Sequence, residues 1–315
     1  MISLRWIVNG AMMGLPVGVT LAVLFAIQPW DPSMGSGEGN RNGPWSGTDN
    51  KVITSTYCDK TVGITPPAKG MQYTFNPNQW GIDANTVGGL CMNVTANNNG
   101  TYATNTTAPL WSTTWSYTQG PDTQPVHAFP NAMIDKVLPD RLSDITTFNL
   151  IFGWTYGQGN ETAETTDVTS LAANSLNANV AMDLFIDSDS TKAQNSSQAG
   201  YEIMVWFAAI GAATQPIGLS RGAVATETVG DVTFSLYTGQ NFLGQNVLSW
   251  VPASAVEKID TDVLPLVTKI LSMTGDSYPS DTDYLGHLSI GSEAYYSDGF
   301  VTFSVSELAI DLRTK

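Results

Sequence analysis

The sequence predicts an all-β fold, a β-sandwich or jelly roll with one covering helix. Three observations predict it. Many short segments alternate apolar and polar residues with period two, turn residues separate them, and a helical apolar stripe occurs once, late in the chain. The composition agrees: Thr, Ser, Asn and Gly are abundant, Lys is scarce and only 13% of residues are charged. Acidic residues outnumber basic ones 28 to 13, giving a net charge of −15. Nucleic acid is excluded as a partner, because its phosphates would be repelled. A neutral polysaccharide would not be.

The chain begins with Arg5 followed by an uncharged, largely apolar run from Trp6 to Trp30. The run is long enough to span a bilayer, and no clear small-residue cleavage site follows it. Asn9, Gly14 and Pro16 weaken it as a helix. Residues 1–30 therefore read as a cleaved signal peptide or an uncleaved membrane anchor, and either sends the rest into the secretory pathway. Residues 31–50, rich in Gly, Ser, Asn and Pro, read as a flexible linker. Residues 51–315 form one domain, with no internal repeat.

Within that domain the expected strands are Gln72–Phe75, Val126–Phe129, Thr146–Trp154, Asn179–Ile186, Tyr201–Phe207, Val232–Tyr237, Val247–Pro252, Tyr284–Gly291 and Phe300–Ser306. The helix runs from about Val263 to Met273. Val263, Leu264, Leu266, Val267, Ile270 and Leu271 make its apolar stripe. Asp260 or Asp262 can cap its start, Pro265 is tolerable in its first turn, and Gly275 can end it.

Cys58 and Cys91 are the only cysteines. In a secretory chain they read as one disulfide. Sequons at Asn93, Asn99, Asn105, Asn160 and Asn195 are glycosylation candidates, and the stretch from Asn93 to Thr107 reads as an exposed polar loop. His127 and His287 are the only histidines and lie far apart. With no metal-ligand spacing and no phosphate-binding or nucleophile-elbow motif, neither a metal nor a cofactor is expected. The catalytic repertoire is mostly carboxylates.

Three carboxylates sit in strand-like contexts. In Tyr201-Glu202-Ile203-Met204-Val205-Trp206-Phe207, alternation puts Glu202, Met204 and Trp206 on one face and a plain apolar core set on the other. A carboxylate beside bulky apolar surface is costly unless hydrogen-bonded, paired or used. Asp183 shares a face with Asn179, Ala181 and Phe185. A regular strand through Tyr284–Gly291 would place Glu293 on the face of His287 and Ser289.

These segments resemble glycoside hydrolase family 12, the secreted β-jelly-roll endoglucanases and xyloglucanases. Tyr201–Trp206 resembles the family's nucleophile strand, and Thr214-Gln215-Pro216-Ile217-Gly218 the loop after it. Gly291-Ser292-Glu293 resembles the acid/base segment, and Val180–Phe185 the strand of the auxiliary aspartate. Asn78-Gln79-Trp80-Gly81 resembles the Asn-x-Trp-Gly motif, and Leu236-Tyr237-Thr238-Gly239-Gln240-Asn241 the Leu-Tyr-x-Gly-x-Asn hairpin. The cysteines also fit the family's N-terminal disulfide. The resemblance covers residues 55 to 313. Extra polar residues at Ala96–Thr107 and Asn160–Thr169 depart from compact members, and Ala294-Tyr295-Tyr296 replaces the usual Pro-Phe.

The resemblance implies a jelly roll of two stacked, curved antiparallel sheets forming a cleft. It implies a retaining endo-β-1,4-glucanase acting on cellulose-like or mixed-linkage β-glucan. Alternatives are a xyloglucan-specific endoglucanase and a non-catalytic carbohydrate-binding protein on the same fold. Glu202 would be the nucleophile, Glu293 the acid/base, and Asp183 would share a proton or hydrogen bond with Glu202, favouring an acidic optimum. Asn78, Trp80, Met204, Trp206, Pro216 and Asn241 would contact the substrate. Nothing cues a dimer, so a monomer is expected. Trp111, Trp115 and Trp154 are expected in the core, and both histidines in structural roles.

Overall fold

The computed structural model describes residues 44, 45 and 48–315, except 135 and 213. The N-terminal apolar segment lies outside the described residues, as does most of the linker. The strands, in chain order, are β1 (Val52–Tyr57), β2 (Tyr73–Asn76), β3 (Gly88–Asn97), β4 (Leu110–Tyr117), β5 (Asn131–Ile134), β6 (Asp140–Arg141), β7 (Ile145–Gln158), β8 (Asn177–Asp187), β9 (Tyr201–Ile210), β10 (Ala225–Val229), β11 (Val232–Gln240), β12 (Asn246–Pro252), β13 (Lys258–Asp262), β14 (Tyr284–Gly291), β15 (Ala294–Tyr296) and β16 (Val301–Thr314). They form a 6-stranded sheet in the order β1-β3-β4-β16-β7-β13 and a 10-stranded sheet in the order β10-β11-β12-β9-β8-β14-β5-β2, with β15 on β8 and β6 on β14. Pairing is antiparallel except between β12 and β9.

The core lies between the sheets. Met92, Val94, Trp111, Trp115, Phe152, Trp154 and Phe303 come from the smaller sheet, and Val180, Met182, Leu184, Ile203, Val205, Phe207, Leu288 and Ile290 from the larger. The opposite face of the larger sheet is not simply solvated. Ala181, Met204, Trp206 and Val247 make a separate apolar cluster there. Period-two alternation thus sorts β8 and β9 between two environments, and the acids follow the second.

Three expectations change. Val126–Phe129 is not a strand and makes only the isolated bridge Ala128–Ala294. Pro125 and Pro130 bracket it and interrupt a ladder. The supposed loop from Asn93 is strand as far as Asn97, because Leu90, Met92, Val94 and Ala96 alternate into the core between Asn and Thr residues. Asn93 accepts a hydrogen bond from Thr56 Oγ1 at 2.6 Å. The folded domain also begins before residue 51: Trp45 is buried and its Nε1 donates to Ile53 O at 3.2 Å.

Besides two short helices, α1 (Val168–Ala173) and α2 (Ser190–Ala193), the late helix is present as α3 (Leu264–Leu271). Asp262 Oδ1 accepts from Leu264 N at 2.9 Å, and Pro265 sits in the first turn. Leu266, Val267 and Ile270 are buried, and Trp250 Nε1 donates to Leu266 O at 3.1 Å. Trp111, Trp115 and Trp154 are all buried.

Cys58 and Cys91 are disulfide-bonded. Beside them Gln79 is buried and fully used: its Nε2 donates to Asp59 O at 2.9 Å, and its Oε1 accepts from Tyr117 OH at 2.7 Å. Tyr117 stacks on His127 with ring centres 4.8 Å apart. His127 Nδ1 bonds Tyr295 O at 2.6 Å, and Gly81 N donates to His127 O at 2.9 Å. His127 therefore has the structural role expected of it: it fastens the Trp80 turn to the segment that carries Glu293.

Candidate active site

Strand register brings the acids together. Across β9, β8 and β14, Phe185 lies opposite both Glu202 and His287, Asp183 opposite Met204 and Ser289, and Ala181 opposite Trp206 and Gly291. These rows lie on the face turned away from the main core. Asp183 and Glu202 are diagonal neighbours on adjacent strands, close enough for their charges to interact. Glu293 follows β14 immediately, where Ser292 and Glu293 lead into β15.

Gly291 is required for that approach. A Cβ at this position would sit 2.0 Å from Pro130 O. Beyond it, Ser292 Oγ bonds Tyr156 OH at 2.6 Å and donates to Asn179 O at 2.5 Å. Asn179 then holds Glu293 from two sides. Its Oδ1 accepts from Glu293 N at 2.9 Å, and its Nδ2 donates to Glu293 Oε2. Tyr295 OH donates to the same Oε2 from 3.5 Å. Sequence reasoning assigned no role to Asn179 or to the Tyr295 hydroxyl. The available signal was an amide on the face shared with Asp183.

The site holds three carboxyls close together, Asp183 buried and Glu202 and Glu293 half-buried. Asp183 is 5% exposed and its Oδ1 has no hydrogen-bond partner among the described residues. Burial first, then the charges of Glu202 and Glu293, hold Asp183 well above the usual carboxylate range. Glu202 is pushed up to about 8 by burial and then by Glu293, against the stabilising Asn241 side chain. Glu293 is pushed up to about 7 by burial, moderated by its bonds from Asn179 and Tyr295. Hydrogen bonds to a carboxylate favour its charged form, so the donors on Glu293 moderate its rise as Asn241 moderates that of Glu202. The groups titrate as a set, so the first proton lost belongs to the cluster rather than to one side chain.

Met204 and Trp206 are buried beside the acids, with Trp206 Nε1 pointing at Met204 Sδ 3.5 Å away. Asn241 opens the β11–β12 turn. Its Oδ1 accepts from Leu243 N at 3.0 Å and Gln245 N at 3.1 Å, which fixes the amide that supports Glu202. The other candidates lie further out. Pro216 is buried in the loop after β9, where its carbonyl accepts from Leu219 N at 3.1 Å. Asn78 has φ 42°, left-handed backbone that Asn tolerates, and its carbonyl accepts from Phe129 N at 3.0 Å. Trp80, half-buried, follows β2 at the far edge of the larger sheet. Four strand spacings of ~4.8 Å put β2 roughly 19 Å from β9. His287 stands edge-on to Phe185, and its Nε2 bonds Ser289 Oγ at 3.2 Å. Among the described residues no cluster of His, Cys, Asp and Glu could hold a metal ion.

The sequence profile described as glycosyl hydrolase family 12 matches residues 71–313. A xyloglucan-specific endo-beta-1,4-glucanase A of Emericella nidulans is 31% identical over 234 residues, 74% of this chain and 83% of that protein. The enzyme of the same name from Aspergillus aculeatus is 30% identical over 258 residues, 82% of this chain and 91% of that one. Among solved structures, endoglucanase 3 of Trichoderma harzianum superposes with a TM-score of 0.63 at 22% identity, covering 84% of this chain and 100% of that one. A family 12 xyloglucanase of Bacillus licheniformis does so with a TM-score of 0.56 at 15% identity, covering 83% of this chain and all (100%) of that one. The structural likenesses bear on the fold, and the profile and curated relatives bear on descent. The chain belongs to glycosyl hydrolase family 12, and is a glycoside hydrolase on a two-sheet jelly roll.

Proposed function

We propose that the chain is a retaining endo-β-1,4-glucanase that cleaves internal bonds of a β-glucan by double displacement. The observation that supports this reading best is the convergence of Glu202, Asp183 and Glu293 on one sheet face, where burial raises all three pKa values and repulsion adds to it at Asp183 and Glu202. Such a cluster resists full ionisation, so it can present an anion and an acid together near neutral pH.

In the first step a carboxylate oxygen of Glu202 attacks the anomeric carbon. The glycosidic C–O bond breaks, and its electron pair takes the proton of Glu293. In the second, Glu293 takes a proton from water, whose oxygen attacks the same carbon and releases Glu202. Substrate binding must leave the charge on Glu202 and the proton on Glu293. A sugar hydroxyl donating to Glu202 would favour its anion, and a glycosidic oxygen accepting from Glu293 would favour its neutral form. Asp183, kept neutral by burial, limits the charge of the trio. Met204 and Trp206 form the floor of the site, Asn241 steadies the nucleophile, and Asn78, Trp80 and Pro216 shape more distant subsites.

Cellulose-like and mixed-linkage glucans share the backbone this chemistry needs. The xyloglucan-specific reading is favoured by the names of the Emericella nidulans and Aspergillus aculeatus relatives. Hydroxyethylcellulose, barley β-glucan and xyloglucan assayed side by side separate the two by the ratio of kcat/KM. Binding without hydrolysis of any of them would overturn the enzymatic mechanism in favour of a non-catalytic carbohydrate-binding role.

The same proposal places the domain outside the cell as a monomer, with its N-terminal segment either removed or retained as an anchor. Among the described residues no helix is long and apolar enough to cross a membrane. Of the sequons, Asn105 and Asn160 are exposed, and Asn93, Asn99 and Asn195 half-buried. N-terminal sequencing of the mature chain decides between removal and anchoring.

A further inference from the structure

Two donors converge on one oxygen of Glu293. Asn179 Nδ2 and Tyr295 OH both point to Oε2, while Asn179 Oδ1 holds the Glu293 backbone N–H at 2.9 Å. Among the described residues Oε1 has no such donor. An oxygen already accepting two hydrogen bonds is a poor place for a proton, so the acidic proton belongs on Oε1. Tyr295 is itself fixed: its ring is buried, and its carbonyl is bound by His127 Nδ1 at 2.6 Å. The hydroxyl is 3.5 Å from Oε2, a long hydrogen bond of the kind that tightens once an active site is filled.

We propose that Tyr295 is a positioning residue for the acid/base Glu293, holding Oε2 as an acceptor so that Oε1 carries the proton to the leaving oxygen. The inference rests on the acid/base role proposed above. The titratable groups facing Glu293 are Asp183 from β8, Glu202 from β9 and Tyr295 from β15, with Tyr156 of β7 reached through Ser292. His287 on β14 lies beyond Ser289. Burial and then the Glu293 charge raise the Tyr295 pKa, so its hydroxyl stays protonated and remains a donor throughout turnover.

The test is Tyr295→Phe, which keeps the ring and removes only the hydroxyl. Glucan hydrolysis and cleavage of a dinitrophenyl β-cellobioside are each followed against pH. The second substrate has a leaving group that needs no proton. The alkaline limb of kcat/KM on glucan should move up by roughly half a pH unit or more. At the optimum, kcat on glucan should fall about 2- to 10-fold with KM little changed, and the first step on the dinitrophenyl substrate, read as the burst of dinitrophenolate, should be as fast as before. An unmoved alkaline limb, or an equal loss on both substrates with a raised KM, overturns the inference. Failure of the parent reading is separable: a wild-type chain that hydrolyses no glucan refutes the enzyme, whatever Tyr295→Phe does.

Discussion

Burial governs the proposed nucleophile before any neighbour does. Glu202 is raised first by desolvation, next by the Glu293 charge, and only Asn241 opposes them. Glu202→Gln keeps the shape and removes the nucleophile, so hydrolysis should fall by at least ~10³-fold while glucan binding persists. A variant with unchanged kcat would refute the assignment. Glu293→Gln should lose activity on glucan by ~10²–10⁴-fold, yet cleave the dinitrophenyl substrate in its first step nearly as fast as wild type. Asn179 is a positioning residue in this scheme, since it grips both the backbone and the carboxylate of Glu293. Asn179→Ala should lower kcat by about 10²-fold, the scale of a misplaced catalytic group, with KM nearly constant. A change confined to KM would place Asn179 in substrate binding instead.

At the scale of elements, the site is a product of register. A one-residue slip of β9 against β8 would turn Glu202 into the core and Ile203 out of it. Gly291 guards the next junction, because Pro130 O occupies the space of its missing side chain. Gly291→Ala should lower the thermal midpoint by roughly 3–8 °C through overpacking, and should reduce activity by moving Glu293. An unaltered midpoint would mean that β5 yields without cost. Alternation made β8, β9 and β14 legible in the sequence, and with them the face shared by Asp183 and Glu202. β3 was harder to read because its outward residues are Asn and Thr, which also build loops. The contacts of Glu293 with Asn179 and Tyr295 were not legible, because the Asn179 contact spans 114 residues and both depend on the close approach of Gly291 to Pro130. Trp45 was hidden by Gly- and Ser-rich neighbours.

For the molecule as a whole, the raised carboxyls set a pH dependence of stability. Glu202 titrates from 4.5 in an ordinary setting to about 8 when folded, and Glu293 from 4.5 to about 7. Between those values the folded chain holds more protons than the unfolded one, so stability falls as pH rises. His287 works the other way, being lowered by burial from 6.5 to about 4, so stability rises with pH across that interval. His127 is lowered by burial in the same sense, and above pH 6.5 the raised carboxyls outweigh both histidines. The thermal midpoint should therefore decline from pH 6.5 to 8, and Glu202→Gln should flatten the decline. A midpoint that rises over this range would contradict the electrostatics described for the site. The Cys58–Cys91 bond closes a loop with a separation of 33 residues, and its reduction should cost about 3–4 kcal/mol by the chain-entropy estimate. The central claim is that Glu202 and Glu293 together perform double displacement. It is tested most directly by proton NMR of the first sugar released from a β-1,4-glucan, recorded before mutarotation. The account predicts the β-anomer first, with the α-anomer appearing only as the product equilibrates. Initial release of the α-anomer would show inversion and contradict a covalent intermediate on Glu202.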